Sequence, residues 1–244
     1  MRPRAIGTVF KREFSAYFDS PIAYVFLVAF VVIPNGLFMF VYQAQRQLSM
    51  RDYFGLLPFV FLFFVPAITM RLWSEERRAG SIEILLTLPV RVGEAVLGKF
   101  LAAYAFLVLA IAATLTIPIS MTMFGSPDWG PIIGAYLGAV LMGGVFLALG
   151  AYISSLSTNQ IVAFIISVSL SFLLVLIGYE FIRAVAGRFW GFLADVLAYL
   201  SVKTHSDTIA KGVIDTSDVI YYVSLIFVFL LLNVYAVQSR RYAG

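Results

Sequence analysis

The chain of 244 residues is 61% hydrophobic and only 12% charged, with a mean hydropathy of +0.95, which excludes a soluble globular domain and indicates an integral membrane protein. It contains no cysteine and a single histidine, so disulfides and thiolate metal sites are excluded, and a histidine-based metal centre is argued against. The net charge of +4 is explained by basic residues beside apolar segments, and no nucleic-acid partner is predicted.

Six apolar segments come close to the roughly twenty residues that a helix needs to cross the hydrocarbon core. They cover residues 22–42, 54–72, 95–121, 131–154, 160–179 and 218–238. We therefore predict an all-α integral membrane protein with six transmembrane helices in a single domain over residues 1–244. The first apolar segment lacks the exit site of a cleaved signal peptide and is expected to be retained.

The first twenty residues contain the sequence IGTVFKREFSAYF, in which apolar side chains recur at helical spacing. Lys11, Arg12 and Glu13 lie on the opposite side of that helix. Such a pattern predicts an amphipathic elbow helix, residues 1–20, on the membrane surface.

The orientation in the membrane is predicted from the distribution of lysine and arginine. If the N-terminus is cytoplasmic, eleven of these residues lie on the cytoplasmic side and six on the other. The loop SSLSTNQ, residues 154–160, has no charge and does not contribute to this count. Both termini are therefore predicted to be cytoplasmic.

Residues 179–217 are too polar to span the membrane and too apolar for a free loop. Their apolar positions repeat every three to four residues but are interrupted by charged residues and glycines. We predict one or two amphipathic helices, half-inserted in the outer leaflet between spans five and six. His205, in the polar stretch KTHSD, is not predicted to have a chemical role. The candidates for an outer gate are Glu180, Arg183, Phe189 and Phe192.

Residues 73–94 form a charged loop between the second and third predicted spans, containing SEERRAGSIEILLTLPV. Glu75 and Glu76 fall in the first turn of a short helix, where acidic groups favour its dipole, and Gly80 is expected to break that helix. Ser81 is expected to cap a second helix, IEILLT, which ends at Pro89.

The second helix of this loop has one apolar face, formed by Ile82, Leu85 and Leu86. Leaving such side chains in water forfeits about 1.5–3 kcal/mol each relative to full burial, so lipid or a protein should cover them. A lipid-binding helix is expected to carry basic residues on its polar face, whereas this one carries Glu83. A groove on a soluble partner is therefore favoured, and an interfacial helix remains the alternative.

Two stretches resemble those of a known family. The run SEERRAGSIEILLTLPVRVGEAVLGKF is similar to the first cytoplasmic loop of type-2 (exporter) ABC transporter permeases, in which an acidic-basic cluster precedes Gly, Ser or Thr, Glu, a Leu-rich turn, Pro and Gly-Lys. THSDTIAKGVIDTSDVIYYVSLI resembles the segment leading into the sixth span of that family. The resemblance covers essentially the whole chain, and it is greatest to permeases of the gliding-motility type.

The resemblance implies that residues 73–94 contain a cytoplasmic coupling helix, which docks in a groove of a separate ATPase. Because the chain has no G-x-x-x-x-G-K-[ST] motif, ATP and Mg are expected on that ATPase, and no cofactor is expected on this chain. The residues that match the family's docking loop are Glu75, Glu76, Arg77, Arg78, Gly80, Ser81, Glu83, Leu85 and Leu86.

The resemblance also implies an assembly and a location. Two copies of the ABC ATPase and a second copy of this permease, or a related permease, are the expected partners in a bacterial cytoplasmic membrane. The implied function is ATP-driven export of a hydrophobic or amphipathic substrate, since the middles of the spans lack charge. The alternative is a non-transporting motor or scaffold that acts on a periplasmic partner, and an accessory subunit is left open. An intramembrane protease is argued against because Gly80 falls where its motif needs arginine and a second histidine is absent.

Overall fold

The computed structural model describes residues 3–45, 50–80, 90–122, 128–189, 191–209 and 215–241. All regular elements in these ranges are helices, as the composition predicts. In chain order they are α1 (Pro3–Phe18), α2 (Pro21–Gln45), α3 (Arg51–Thr69), α4 (Ser74–Arg78), α5 (Val92–Ala113), α6 (Thr116–Met121), α7 (Trp129–Leu156), α8 (Gln160–Leu176), α9 (Glu180–Phe189), α10 (Gly191–Leu200), α11 (Val202–Ile209) and α12 (Thr216–Arg241).

Five helical stretches among the described residues are long and apolar enough to cross a membrane. They are Ala23–Phe40, Arg51–Arg78, Val92–Met121, Trp129–Leu156 and Thr216–Ser239. A sixth is formed if α8 and α9, which meet at an angle of 74°, count as one broken span. The prediction of a multi-pass helical membrane protein is therefore confirmed, with five or six candidate spans among the described residues. Most span ends lie within three residues of those expected, but the second stretch ends at Arg78 and not at residue 72, and the broken span continues to Arg188, beyond the expected residue 179.

Helix α7 is the centre of the bundle and packs against α3, α5, α8 and α12. In its apolar stretch 72% of the residues are buried, compared with 22% in α2 and in α12. Glycines allow its neighbours to approach closely. A Cβ atom on Gly150 would lie 2.1 Å from Oγ1 of Thr69 in α3, and one on Gly138 would lie 3.0 Å from Cγ2 of Ile209 in α11.

Helix α1 is amphipathic, as its sequence predicts, and lies along α5. The two helices approach closely at Gly98, where an added Cβ atom would be 2.7 Å from Cβ of Val9. Val9 is the buried residue of α1 in the described part of the chain. The N-terminal helix is thus attached to the third span by a defined contact.

The described residues between α8 and α12 form three helices, so the prediction of one or two was wrong. Helices α9 and α10 pack against each other, whereas α11 packs against α7 and α8. The extra helix begins after Ser201, whose hydroxyl accepts a hydrogen bond of 3.3 Å from the backbone N–H of Thr204. Such a cap satisfies an orphan backbone donor and allows a new helix to start.

Candidate functional site

Helix α4 follows α3 and carries the charged cluster of the predicted docking loop. Glu75 and Glu76 occupy its first turn and Arg77 and Arg78 its last turn, so each charge is at the favourable end of the helix dipole. Gly80 has φ of +69°, a left-handed conformation that glycine adopts without strain. The predicted short helix and its break at Gly80 are confirmed.

The second half of the predicted docking loop, residues 81–89, lies outside the described residues. This range includes four of the docking candidates: Ser81, Glu83, Leu85 and Leu86. The predicted apolar face and the Pro89 stop stay predictions.

The start of α4 is held by the end of α7. Ser154 Oγ accepts hydrogen bonds from the backbone N–H groups of Trp73 (3.1 Å) and Ser74 (3.2 Å), and it donates one to the carbonyl of Met70 (3.0 Å). Arg77 Nη1 donates to the carbonyl of Ser155 at 2.7 Å. Ser154 and Ser155 belong to the uncharged stretch SSLSTNQ, which has no charge to count toward the membrane orientation. The structure places both residues in the last turn of α7, where they fix α4.

A charge cluster, which we call the Lys99 cluster, joins α1, α4 and α5. Lys99 Nζ lies 3.1 Å from Glu13 Oε1 and 2.9 Å from Glu76 Oε1. Arg12 Nη2 lies 2.6 Å from the same oxygen of Glu13 and 3.4 Å from that of Glu76. The Lys99 side chain is 3% exposed, and its ammonium group lies 5.2 Å from the centre of the buried Trp73 ring. A buried ammonium group is tolerated here because two carboxylates and an aromatic face surround it.

The Lys99 cluster changes the acidity of the groups on α1. Burial alone would raise the pKa of the Glu13 carboxyl, but the Lys99 charge and the hydrogen bonds from Arg12 and Lys99 outweigh it, so this pKa lies below its ordinary value. The hydrogen bond to Glu13 raises the pKa of Arg12 despite partial burial. Glu13 is therefore held in its ionised form.

The described docking candidates divide into an outward and an inward group. Glu75, Arg78 and Gly80 are exposed, and Glu75 pairs with Arg71 at 3.0 Å. Glu76 and Arg77 are turned inward, toward the Lys99 cluster and the end of α7 respectively. One short helix thus presents one set of side chains to the exterior and binds three other elements with the rest.

The candidates for an outer gate do not form a polar site with one another. Glu180 and Phe192 are exposed, and the Phe189 side chain lies outside what the structure describes. No hydrogen bond or ion pair joins Glu180 to Arg183, both of which are described, and Arg183 Nε is buried with no hydrogen-bond partner in the described part of the chain. The gate stays a prediction.

The polar site on the side of α11 is built around His205, whose surroundings sequence analysis missed. His205 Nδ1 lies 2.5 Å from Asp218 Oδ1, and Nε2 lies 3.0 Å from the Tyr199 carbonyl oxygen. The imidazole stacks on Tyr221 at 3.9 Å, and Tyr222 donates a hydrogen bond of 2.8 Å to the Val202 carbonyl. The available signal was the start of the sixth span, DVIYY, which places the acid and two tyrosines on one helical face.

One known protein family, described as ABC-2 family transporter protein, matches residues 8–239 of the chain. A comparison with curated proteins gives no match. The matched range includes the Lys99 cluster, α4 and every candidate span.

Proposed function

Because the chain belongs to the ABC-2 transporter family, we propose that it is the permease subunit of an ATP-driven exporter, coupled to a separate ATPase through α4 and residues 81–89. It is a multi-pass membrane protein of a family whose members are membrane subunits and normally work with an ATPase subunit. In this proposal the ATPase binds ATP and Mg, and this chain supplies the spans and the docking surface.

The proposed assembly contains two ATPase copies and two permeases, either two copies of this chain or this chain and a related one. Its location is a bacterial cytoplasmic membrane with both termini on the cytoplasmic side, as the distribution of basic residues favours. The resemblance of the chain to permeases of the gliding-motility type is part of the same proposal.

The division of α4 into outward and inward side chains is the observation that carries this function. Glu75, Arg78 and Gly80 are available to a docking protein, while Glu76 contacts Lys99 of α5 and Arg77 contacts the end of α7. A displacement of the outward surface therefore acts on the third and fourth spans through direct contacts. A helix that only lay on lipid would have no need of bonds to three separate elements.

The interior of the spans favours a hydrophobic or amphipathic substrate. Ser167, Ser171 and Asn233 are each no more than 1% exposed, and all are uncharged. Their side-chain polar atoms have no hydrogen-bond partner among the described residues. A path for strongly polar solutes or small ions would be expected to contain ionisable groups at this depth.

The direct test is a charge placed on the predicted apolar face of residues 81–89. Leu85→Asp should release the ATPase during affinity purification, or leave it bound with ATP hydrolysis no longer stimulated by the permease, because a carboxylate cannot enter an apolar groove without a large desolvation cost. Leu156→Asp, at an exposed leucine on the same end of the bundle, is the matched control and should retain both properties. Unchanged ATPase binding and stimulation in Leu85→Asp would contradict the proposal.

The alternative, a motor or scaffold acting on a periplasmic partner, is favoured by one surface. Helices α9 and α10 pack on each other and leave Phe181 75% and Phe192 66% exposed, which offers an apolar face to a partner. Limited proteolysis separates the two functions. Protection of α9 and α10 only in the presence of a co-purifying outer subunit supports the alternative, whereas stimulation of the ATPase by amphipathic compounds supports export.

A further inference from the structure

A cavity of about 500 Å³ lies between α1, α2, α3 and α5, on the side of the bundle that carries α4. This volume is within the range of sites that bind small molecules. Its deep walls are apolar and include Ala23, Phe26, Ile68 and Phe106. Phe106 is stacked on Tyr17 with ring centres 4.8 Å apart, so one wall is a pair of packed aromatic rings. The cavity is therefore already formed, and one of its walls is held by aromatic packing.

Charged side chains also line the cavity: Glu13, Arg71, Glu75, Glu76 and Lys99. Arg71 and Glu75 are exposed and form its solvent-facing rim, whereas Lys99 is buried. A site with an apolar interior and a charged rim is complementary to a molecule with a hydrocarbon chain and an ionic head. Since the surrounding helices are membrane spans, such molecules are present at high concentration beside it.

The charges at the mouth discriminate between types of head group. Three carboxylates and two cations line the cavity, and Arg12, which does not line it, pairs with Glu13 and Glu76. The charges therefore balance, and no net positive charge favours an anionic head. Lys99 is already engaged by two carboxylates. Arg71 and Glu75 bind each other at 3.0 Å, but their side chains are 43% and 51% exposed, and an exposed pair of this kind contributes little and opens readily.

The Arg71–Glu75 pair offers one cation and one carboxylate to an incoming head. A phosphate would bind the guanidinium group, which suits two oxygens at once, and an ammonium group would bind the carboxylate. A primary ammonium donates hydrogen bonds to Glu75, whereas a trimethylated ammonium has no N–H group with which to do so. Both charges of the pair are then satisfied by the two charges of a zwitterion.

We infer that this cavity binds one phospholipid with a zwitterionic, primary-ammonium head, taken from the leaflet beside α1. An acyl chain lies between Phe26 and Phe106, the phosphate binds Arg71, and the ammonium binds Glu75. This inference requires only that the chain spans a membrane and does not depend on the proposed transport function.

The experiment measures lipid retained by the purified protein. The full chain in detergent is equilibrated with an equimolar mixture of phosphatidylethanolamine, phosphatidylcholine and phosphatidylglycerol and examined by native mass spectrometry. The wild type should retain one phosphatidylethanolamine. Ala67→Phe, which places a ring in the cavity, should lower its retention about tenfold by occupying the acyl site, whereas Ala112→Phe, at an exposed position of α5, should leave it unchanged.

The head-group assignment has its own variant. Glu75→Gln should reduce the preference for phosphatidylethanolamine over phosphatidylcholine by about tenfold, since a charge-assisted hydrogen bond is lost. Unchanged selectivity in this variant would overturn the assignment of the head. Equal retention by Ala67→Phe and Ala112→Phe, or a wild-type preference for phosphatidylglycerol, would overturn the site.

A measurement on the wild type covers the case in which Ala67→Phe fails to fold. Phosphatidylethanolamine with a photoactivatable acyl chain should label the peptides that contain Phe26 and Phe106. Labelling confined to α8 or α12, whose apolar side chains are also exposed, would indicate general lipid contact and contradict the proposed site.

Discussion

The two ends of the bundle each contain a buried group of polar side chains that bind one another, but the two groups are built differently. At the α4 end, Lys99 joins side chains from α1, α4 and α5, and the neighbouring Arg12 is 54% exposed. At the α11 end, His205 and Asp218 are thirteen residues apart and are enclosed by aromatic rings of Tyr199, Tyr221 and Tyr222. The Lys99 cluster joins elements that are distant in the sequence and is partly exposed to water. The His205 group joins neighbouring elements and is enclosed. A cluster that responds to a docking protein is expected to be partly exposed and to join distant elements, as the Lys99 cluster does.

Helix α7 connects these two ends. Gly138, which contacts α11, and Ser154, which contacts α4, are 16 residues apart, so about 24 Å of helix separates them at 1.5 Å per residue. Because 72% of this stretch is buried, it is expected to move as one body. We therefore expect a substitution at one end of the bundle to change the structure of the other end only if it displaces α7.

The largest effect is expected from Lys99→Met, which removes the buried cation between Glu13 and Glu76 and leaves only the half-exposed Arg12 near their carboxylates. Removing one partner from a buried ionic group costs about 3–5 kcal/mol. Denaturant unfolding in detergent should show a loss of this order. Lys203→Met, which breaks an ion pair with the exposed Asp207, should cost less than about 1 kcal/mol. Equal losses in the two variants would contradict the role given to Lys99.

His205→Phe tests whether the α11 end is a local unit. The ring can still stack on Tyr221, but Asp218 loses its partner, at a cost of about 1–3 kcal/mol for an unsatisfied buried group. Hydrogen exchange should become faster in α10 and α11 and stay unchanged in α4. The double variant His205→Phe/Asp218→Leu should recover most of the loss. Faster exchange at α4 would show that the two ends are coupled more strongly than the structure indicates.

Gly150→Ala tests the close packing of α7 on α3. The added Cβ atom would meet Thr69 Oγ1 at 2.1 Å and Cβ at 2.9 Å, so the helices must separate, with an expected loss of about 1–3 kcal/mol. Adding Thr69→Ala removes the nearest atom and should restore part of the stability. Gly55→Ala, where no atom lies within 4 Å, is the control and should be neutral or stabilising. A neutral Gly150→Ala would mean that this contact is looser than described.

The smallest effect is the dependence of stability on acid. The pKa of Glu13 in the folded protein lies below its ordinary value of 4.5, so its contribution is fully present above that value and is lost as the pH falls below 4.5 through the folded pKa. Glu13→Gln should therefore flatten the acid limb of a plot of melting temperature against pH. Glu180→Gln, at an exposed carboxylate of α9, should leave the limb unchanged. Identical acid limbs in wild type and Glu13→Gln would contradict the contribution of the Lys99 cluster.

Sequence analysis predicted the spans and α4, which depend on residues close together in the sequence. The apolar segments define the spans because a helix hydrogen-bonds its own backbone and presents apolar side chains to lipid, and α4 follows from acidic residues in its first turn and a glycine at its end. Lys99 was counted only as a positive charge on one side, because its partner Glu13 lies 86 residues earlier and meets it through the packing of α1 on α5. His205 was placed in a polar stretch for the same reason, since Asp218 reaches it only after the chain turns back into α12.

Ser154 has a mechanical consequence. Its single hydroxyl oxygen accepts from two consecutive backbone N–H groups and also donates to a carbonyl one turn earlier, so all three bonds meet at one point. A translation of α4 would break the two bonds from Trp73 and Ser74 together, whereas a small rotation about that oxygen would preserve them, and the bond to Met70 ties the same oxygen to the end of α3. Tilting of α4 is therefore favoured over sliding, and force applied at its outer end would reach the third span, through Glu76 and Lys99, as a turning moment.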